Sequence, residues 1–271
     1  MHAQNHSVSP PPHLLLVGAS RGLGLALTEE FLTRGWEVTA TIRGTPGPAL
    51  GALIERFQTR LHIETLDITQ DDMIDSLRSH LSRSMAPPAT GHPSEQELPG
   101  MRDNPELAGQ SQKPRLFDML FVNAGMTNDA PDTPIGCVSL QDFTQVMLTN
   151  ALAPMRVIDK LEDLVNPAGL IGVMSSGQGS IANNASGLRE LYRGSKAALN
   201  QFMRCYAARI ATTAPRPLAL IAPGWVRTSL GGPDARFSIE ETIPGVADVL
   251  IAQQGHPSLI YRDFNGNDVS W

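Results

Sequence analysis

The chain has 271 residues, 41% hydrophobic and 18% charged, with a formal net charge of −6. That fits one large α/β domain or two small ones with a real core, and excludes a disordered chain. The acidic balance excludes general nucleic-acid binding, which needs a basic excess to neutralise phosphates.

Met1 to Pro12 is polar and ends in three prolines. It reads as a disordered tail rather than a signal peptide, which would carry an apolar segment. His13 to Val17 is a short apolar run stopping at Gly18, the pattern of a strand buried on both faces in a parallel sheet. Gly22 to Arg34 follows a helical period, with Leu23, Ala26, Leu27 and Phe31 on one side and Gly35 closing its end. Trp36 to Ile42 and Leu61 to Ile68 are the second and third strands, and Asp71 to Arg83 is a helix. Ser84 to Pro114 is rich in Pro, Gly, Ser and Glu, has no apolar period, and reads as a flexible insertion at residues 84–114. It joins a helix to the next strand, so it leaves from the amino edge of the sheet, away from where such sheets bind ligands.

Phe117 to Val122 is the fourth strand, Leu140 to Leu164 a long helix, and Leu170 to Met174 the fifth strand. Tyr192 to Ile210 is a second long helix, Leu218 to Ala222 the sixth strand, Ile239 to Gln253 a helix, and Leu259 to Tyr261 the last strand. Strands alternate with helices almost throughout. The fold class is therefore α/β, one doubly wound domain over residues 13–271 with helices on both faces of a mostly parallel sheet. No apolar run approaches ~18 residues, so no membrane span is expected. Cys137 and Cys205 form no C-x-x-C, and the seven histidines include no H-E-x-x-H. A disulfide framework and a metal site are thus unsupported, and a reducing cytoplasm fits.

Tyr192 and Lys196 stand four residues apart, one helical turn, on one face. At ~5 Å and an effective dielectric of about 20, their attraction is roughly 3 kcal/mol. That would lower the phenol pKa by about 2 units from a value near ~10, toward acid–base work at neutral pH. The same spacing is also common on solvated helix faces, so other features must support it. Gly18-Ala19-Ser20-Arg21-Gly22-Leu23-Gly24 joins the first strand to the first helix. Its glycines allow a tight turn and close approach of a pyrophosphate to the free N–H groups of the helix start. The same stretch spells G-x-S-x-G, a hydrolase nucleophile elbow at Ser20. Against that reading, Ser20 follows the first strand and leaves little room upstream for an oxyanion-hole loop.

The glycine spacing is G-x-x-x-G-x-G. With Asp67, Asn123-Ala124-Gly125, Ser176 with Tyr192 and Lys196, and Pro223-Gly224, it resembles the short-chain dehydrogenase/reductase family. In finer detail the chain resembles the sniffer-type and C-factor-like carbonyl reductases. The supporting stretches are Met174-Ser175-Ser176, Tyr192 to Asn200, Gly231 to Ala235 and Trp271. The resemblance implies a Rossmann domain with a seven-stranded sheet of order 3-2-1-4-5-6-7, and reduction of a carbonyl (ketone, aldehyde or quinone) to an alcohol. It implies Tyr192 as proton donor, Lys196 lowering its pKa and binding the nicotinamide ribose, Ser176 orienting the substrate oxygen, and Asn150 holding a relay water. Pro154, four residues after Asn150, has no N–H for the Asn150 carbonyl, which frees that carbonyl for water.

For the cofactor, the resemblance implies contacts from Gly18, Ser20, Arg21, Gly22, Leu23 and Gly24, from Asp67 and Ile68 at the adenine, and from Asn123, Ala124 and Gly125. Tyr192, Lys196, Pro223, Gly224, Val226 and Thr228 complete the set. An acid that would select NAD at the end of the second strand is replaced by Ile42 and Arg43. Arg43, flanked by Arg21, could pair with a 2′-phosphate, which favours NADP(H). Trp225 to Gly245, with Trp225, Leu230, Phe237 and Ile243, is expected to set specificity for a largely apolar carbonyl. A homodimer or homotetramer through the two long helices follows by family analogy alone. The alternatives are an NADP(H)-binding signalling or regulatory protein of the C-factor type, and a serine hydrolase using Ser20.

Overall fold

The computed structural model describes residues 10–85 and 114–271. Most of the expected tail and insertion lies outside the described residues. Seven strands form one sheet: β1 (His13–Val17), β2 (Glu37–Ile42), β3 (Leu61–Thr65), β4 (Phe117–Val122), β5 (Val165–Met174), β6 (Leu218–Ala222) and β7 (Leu259–Asp263). Their order is β3-β2-β1-β4-β5-β6-β7, and every neighbouring pair is parallel. The expected strand order holds, and the sheet is wholly rather than mostly parallel.

Seven α-helices accompany it: α1 (Gly22–Thr33), α2 (Pro48–Arg56), α3 (Asp71–Met85), α4 (Leu140–Met147), α5 (Ala153–Leu161), α6 (Glu190–Ile210) and α7 (Ile239–Gln253). Side chains alternate along each strand, so the sheet feeds two cores. Leu15 and Val17 pack with Ile74 and Leu77 of α3, Val157 and Ile158 of α5, and Leu199 and Met203 of α6. Leu14 and Leu16 pack with Leu27 and Phe31 of α1, Leu50 and Leu53 of α2, and Val246 and Leu250 of α7. All five β1 residues are buried, which is why that strand reads as an unbroken apolar run.

Several elements depart from the sequence reading. Helix α2 was not expected. It is short, with Pro48 in its first turn and only Leu50 and Leu53 buried, too few positions to show a period. Ser84 and Met85 continue α3 rather than opening the insertion. β5 starts at Val165, ahead of Pro167 and Gly169, because its pairing with β4 shifts register between Phe117 and Met119.

The single helix expected over Leu140–Leu164 is broken. A π turn at Leu148–Leu152 separates α4 from α5, and a 3₁₀ turn follows at Glu162–Leu164. The Ala153 N–H reaches back five residues to the Leu148 carbonyl. Pro154 has no N–H to offer the next turn, so the ladder takes up an extra residue there. Asn150 lies at the centre of that turn.

Candidate active site

The strand order reverses between β1 and β4, and the crevice beyond their carboxyl ends is where such sheets bind ligands. The glycine turn is built into that crevice. Gly18 has φ +92°, and a Cβ there would lie 2.8 Å from the Ala124 nitrogen. A Cβ on Gly24 would sit 2.0 Å from the Gly18 carbonyl oxygen, which also accepts a bond from Asn123 Nδ2 at 2.8 Å. Asn123 thus buckles the loop after β4 to the glycine turn, and Ala124 floors it. Helix α1 begins at Gly22 with no side chain capping its first turn, so its N–H groups are free to meet an anion. Thr228 stands over Gly22, its methyl 3.7 Å from where a Cβ would be. Leu23 is partly buried, and Pro223 and Val226 are buried beneath the loop that carries Thr228 and exposed Gly224.

Ser20, Arg21 and Arg43 are exposed at the crevice mouth. Among the described residues neither arginine makes an ion pair. Burial works to raise the Asp67 carboxyl, but the Thr69 hydroxyl and N–H, with the charge of Arg43, hold it below its ordinary value. Asp67 Oδ1 accepts both Thr69 bonds, at 2.7 and 2.9 Å, so Asp67 organises the turn into α3. Ile68, expected beside an adenine ring, is instead only 5% exposed and packs in the core with Leu66 and Ile74.

The second half of the site comes from β5 and α6. Tyr192, Ser195 and Lys196 are buried on the inner face of α6. Lys196 Nζ lies 5.9 Å from the Tyr192 ring centroid and donates to the Met174 carbonyl at 2.8 Å. A Cβ on Gly125 would be 3.4 Å from that Nζ and 3.5 Å from Asn150 Oδ1, which places all three groups together. Asn150 is fully buried. Its amide donates to the Met126 carbonyl at 2.8 Å and the Ser195 hydroxyl at 2.9 Å, and its oxygen accepts the Met126 N–H at 2.8 Å. Ser195 in turn donates to the Tyr192 carbonyl at 2.7 Å. The Asn150 side chain therefore braces the first turn of α6 against the loop after β4, and Pro154 cannot donate an N–H to the Asn150 main-chain carbonyl.

Burial pushes the Tyr192 phenol above its ordinary pKa, opposed by the adjacent Ser176 hydroxyl and the charge of Arg189. This corrects the expectation that Lys196 sets the phenol low: the ammonium is committed to Met174, and desolvation dominates. Burial also pulls Lys196 down to about 8. It is still charged in roughly nine of ten molecules at pH 7.

Two residues near the site, Tyr261 and Arg189, carried no sequence signal. The Tyr261 hydroxyl of β7 donates to the Ser176 carbonyl at 2.5 Å, and the Trp271 carbonyl accepts the Ala182 N–H at 3.1 Å in the loop beyond it. Arg189 precedes α6 in a left-handed conformation, φ 59°, with its guanidinium 5.0 Å from the Tyr192 ring centroid. In the expected specificity segment, Ile243 is a core residue of α7 and Phe237 packs on Phe264 at 5.0 Å. Trp225 is 51% exposed, and Leu230, like Phe237, is partly buried. Among the described residues, His13, His62 and His80 bond to Thr39, Glu37 and Glu64, and no histidine side chain bonds to Ser20.

A doubly wound sheet, an uncapped helix start over a glycine turn, and a Ser–Tyr–Lys group at the carboxyl edge define a nucleotide-dependent dehydrogenase or reductase fold. A family model described as enoyl-(acyl carrier protein) reductase matches residues 109–243. The C-signal protein of Myxococcus xanthus is 32% identical over 160 residues, covering 57% of this chain and 92% of that protein. A short-chain dehydrogenase/reductase from Burkholderia multivorans with bound NADP is 54% identical, with TM-score 0.83 over 97% of this chain and 100% of that one. A carbonyl reductase from Pseudomonas aeruginosa PAO1 in complex with NADP is 31% identical, with TM-score 0.78 over 96% and 100%. The chain belongs to the short-chain dehydrogenase/reductase family.

Proposed function

We propose that the protein is an NADP(H)-dependent oxidoreductase that reduces a carbonyl to an alcohol, with Tyr192 as the acid. The observation that carries this is the Tyr192 phenol, kept protonated by burial, beside the Ser176 hydroxyl and within 5.9 Å of the Lys196 ammonium. Two relatives with bound NADP support the choice of cofactor. So do the uncapped start of α1 and Arg21 and Arg43 at its mouth, which make no ion pair among the described residues, groups suited to a pyrophosphate and a 2′-phosphate.

Bound NADPH supplies the hydride. The chain's own residues handle the proton. Ser176 and Tyr192 donate hydrogen bonds to the substrate oxygen, and the Tyr192 proton passes to that oxygen as the alcohol forms. The buried Lys196 charge favours the phenolate left behind. Water at the Asn150 carbonyl offers the route by which the proton is restored. Exposed Phe143, Leu152 and Phe202 on the two long helical segments support a homo-oligomer.

Purified protein should consume NADPH with a carbonyl substrate. Tyr192→Phe should cut kcat by about 10²–10⁴ while keeping NADPH binding, because it deletes only the proton donor. Unchanged turnover would sink the assignment. Arg43→Asp should weaken NADPH at least tenfold more than NADH in a fluorescence titration. Equal weakening would mean Arg43 does not meet a 2′-phosphate. The similarity to C-signal supports a second reading, in which NADP(H) occupancy rather than turnover is the output. Robust reduction of any cellular carbonyl makes that reading unnecessary.

A further inference from the structure

Four buried side-chain polar atoms have no hydrogen-bond partner among the described residues: Thr127 Oγ1, Asn128 Oδ1, Gln178 Oε1 and Arg189 Nε. All four belong to segments around the proposed site. Thr127 and Asn128 follow the Asn150-braced Met126 after β4, Gln178 follows Ser176 after β5, and Arg189 lies three residues before Tyr192. Buried polar groups are nearly always paired, so each of these atoms marks a place that a polar ligand or fixed water completes. Of the apolar residues expected here, Ile243 lies in the core and Phe237 packs on Phe264.

Arg189 stands out among the four. It is the one non-glycine residue with positive φ among the described residues. Strain of that kind persists where it places a side chain for a purpose. Its guanidinium lies over the Tyr192 ring, 5.0 Å from the centroid. Among the described residues no carboxylate pairs with it, and the neighbouring Glu190 carboxylate is committed to the Ile135 N–H at 3.0 Å. Stacking on Tyr192 alone would leave Nε–H buried and unused, and would not require a left-handed backbone. A side-on carboxylate satisfies Nε–H and a terminal N–H together.

We propose that Arg189 determines specificity by receiving the carboxylate of an oxo-acid substrate whose carbonyl lies at Tyr192. This rests on the carbonyl-reductase reading above, and it replaces the largely apolar substrate expected from the sequence.

The test compares 2-oxopentanoate and 4-oxopentanoate with their methyl esters, in the wild type and in Arg189→Gln, Arg189→Lys and Arg189→Gly. The wild type should prefer at least one acid over its ester by tenfold or more in kcat/KM, the factor expected of a charge-assisted bidentate bond. Arg189→Gln and Arg189→Gly should lower that acid at least tenfold more than its ester, and Arg189→Lys should restore part of the preference. Arg189→Gly suits the left-handed backbone, so its melting temperature should hold or rise, which separates lost recognition from lost folding. Preference for both esters, or equal losses for acid and ester, would overturn the proposal. Calorimetry with unreactive pentanoate and pentanamide, with and without NADP⁺, gives a readout free of turnover. Pentanoate should bind at least tenfold tighter than pentanamide in the wild type but not in Arg189→Gln, and equal binding in the wild type overturns the proposal. If no carbonyl is reduced yet pentanoate still depends on Arg189, the anion site stands and the reductase reading falls.

Discussion

The two ends of the parallel sheet each bury one basic side chain, and burial has opposite consequences at the two ends. At the carboxyl edge, desolvation takes Lys196 from 10.5 to about 8. At the amino edge, desolvation takes His13 from 6.5 to about 4, against the opposing pull of Glu37. The displacements are equal. Lys196 starts high enough to remain charged at pH 7, whereas His13 is driven neutral. His13 then behaves as a core residue, its ring 4.5 Å from Phe117 and its Nε2 2.9 Å from the Thr39 hydroxyl. The same fold holds a costly charge where the proposed chemistry needs one and extinguishes a charge where packing needs none.

Lys196→Met should break this comparison most. Turnover should fall by about 10²–10³, since the charge that favours the phenolate is gone. Stability at pH 7 should rise, because a displacement from 10.5 to about 8 means the buried charge costs about 3 kcal/mol. The lost bond to the Met174 carbonyl returns part of that, leaving a gain of about 2 kcal/mol in urea unfolding. In the wild type the folded pKa lies below the unfolded one, so between pH 8 and 10.5 the unfolded chain holds the extra proton. The Lys196 contribution to stability therefore improves over that window, while reduction slows as pH climbs through about 8. A Lys196→Met protein no more stable than the wild type would mean that its charge is not desolvated.

His13→Gln tests the other end. The folded pKa of about 4 again lies below the unfolded 6.5, so the unfolded chain binds the extra proton as pH falls from 6.5. The His13 contribution is intact above 6.5 and is lost progressively down to about 4, a loss of about 3 kcal/mol. Glutamine keeps a polar group for Thr39 but does not titrate there. Unfolding free energies between pH 7 and 4 should fall less steeply in the variant by about that amount. Parallel curves would show that His13 does not control the acid limb.

The sequence made the seven strands readable because they rest on local apolar runs, whereas the strand order and the Ser176–Tyr192–Lys196 group came from the family resemblance. It missed features that depend on distant parts of the chain. The pKa of Tyr192 was expected to fall from a pair interaction within one helix, but its environment comes from Ser176, Arg189 and the burial of the whole helix face. Ile68 and Ile243 followed motif positions at the crevice, yet each faces a core that only the packed sheet creates. Pro154 did signal that the Asn150 carbonyl would lose its usual helical partner. It did not reveal that the Asn150 side chain would be used up on Met126 and Ser195. Arg189 carried no signal, because left-handed geometry before a helix leaves no mark when the residue is not glycine.

The smallest effect tests whether the site is supported from the far edge of the sheet. Tyr261 lies on β7, is 3% exposed, and packs on Trp271 at 5.3 Å. Burial raises its phenol pKa, so it remains a donor to the Ser176 carbonyl. That carbonyl also accepts the Gly179 N–H at 2.8 Å, so Tyr261→Phe leaves one donor in place. The stability cost should be about 1 kcal/mol. If Tyr261 positions Ser176, kcat should fall about three- to fivefold with KM nearly unchanged, because the Ser176 hydroxyl matters most as charge develops on the substrate oxygen. Arg189 acts on binding instead, so its variants should change KM for an acid substrate and leave the Tyr261 effect on kcat additive. A stability loss without any change in kcat would make Tyr261 a core tyrosine whose hydroxyl merely finds the nearest acceptor, and would confine the site's support to β5 and α6.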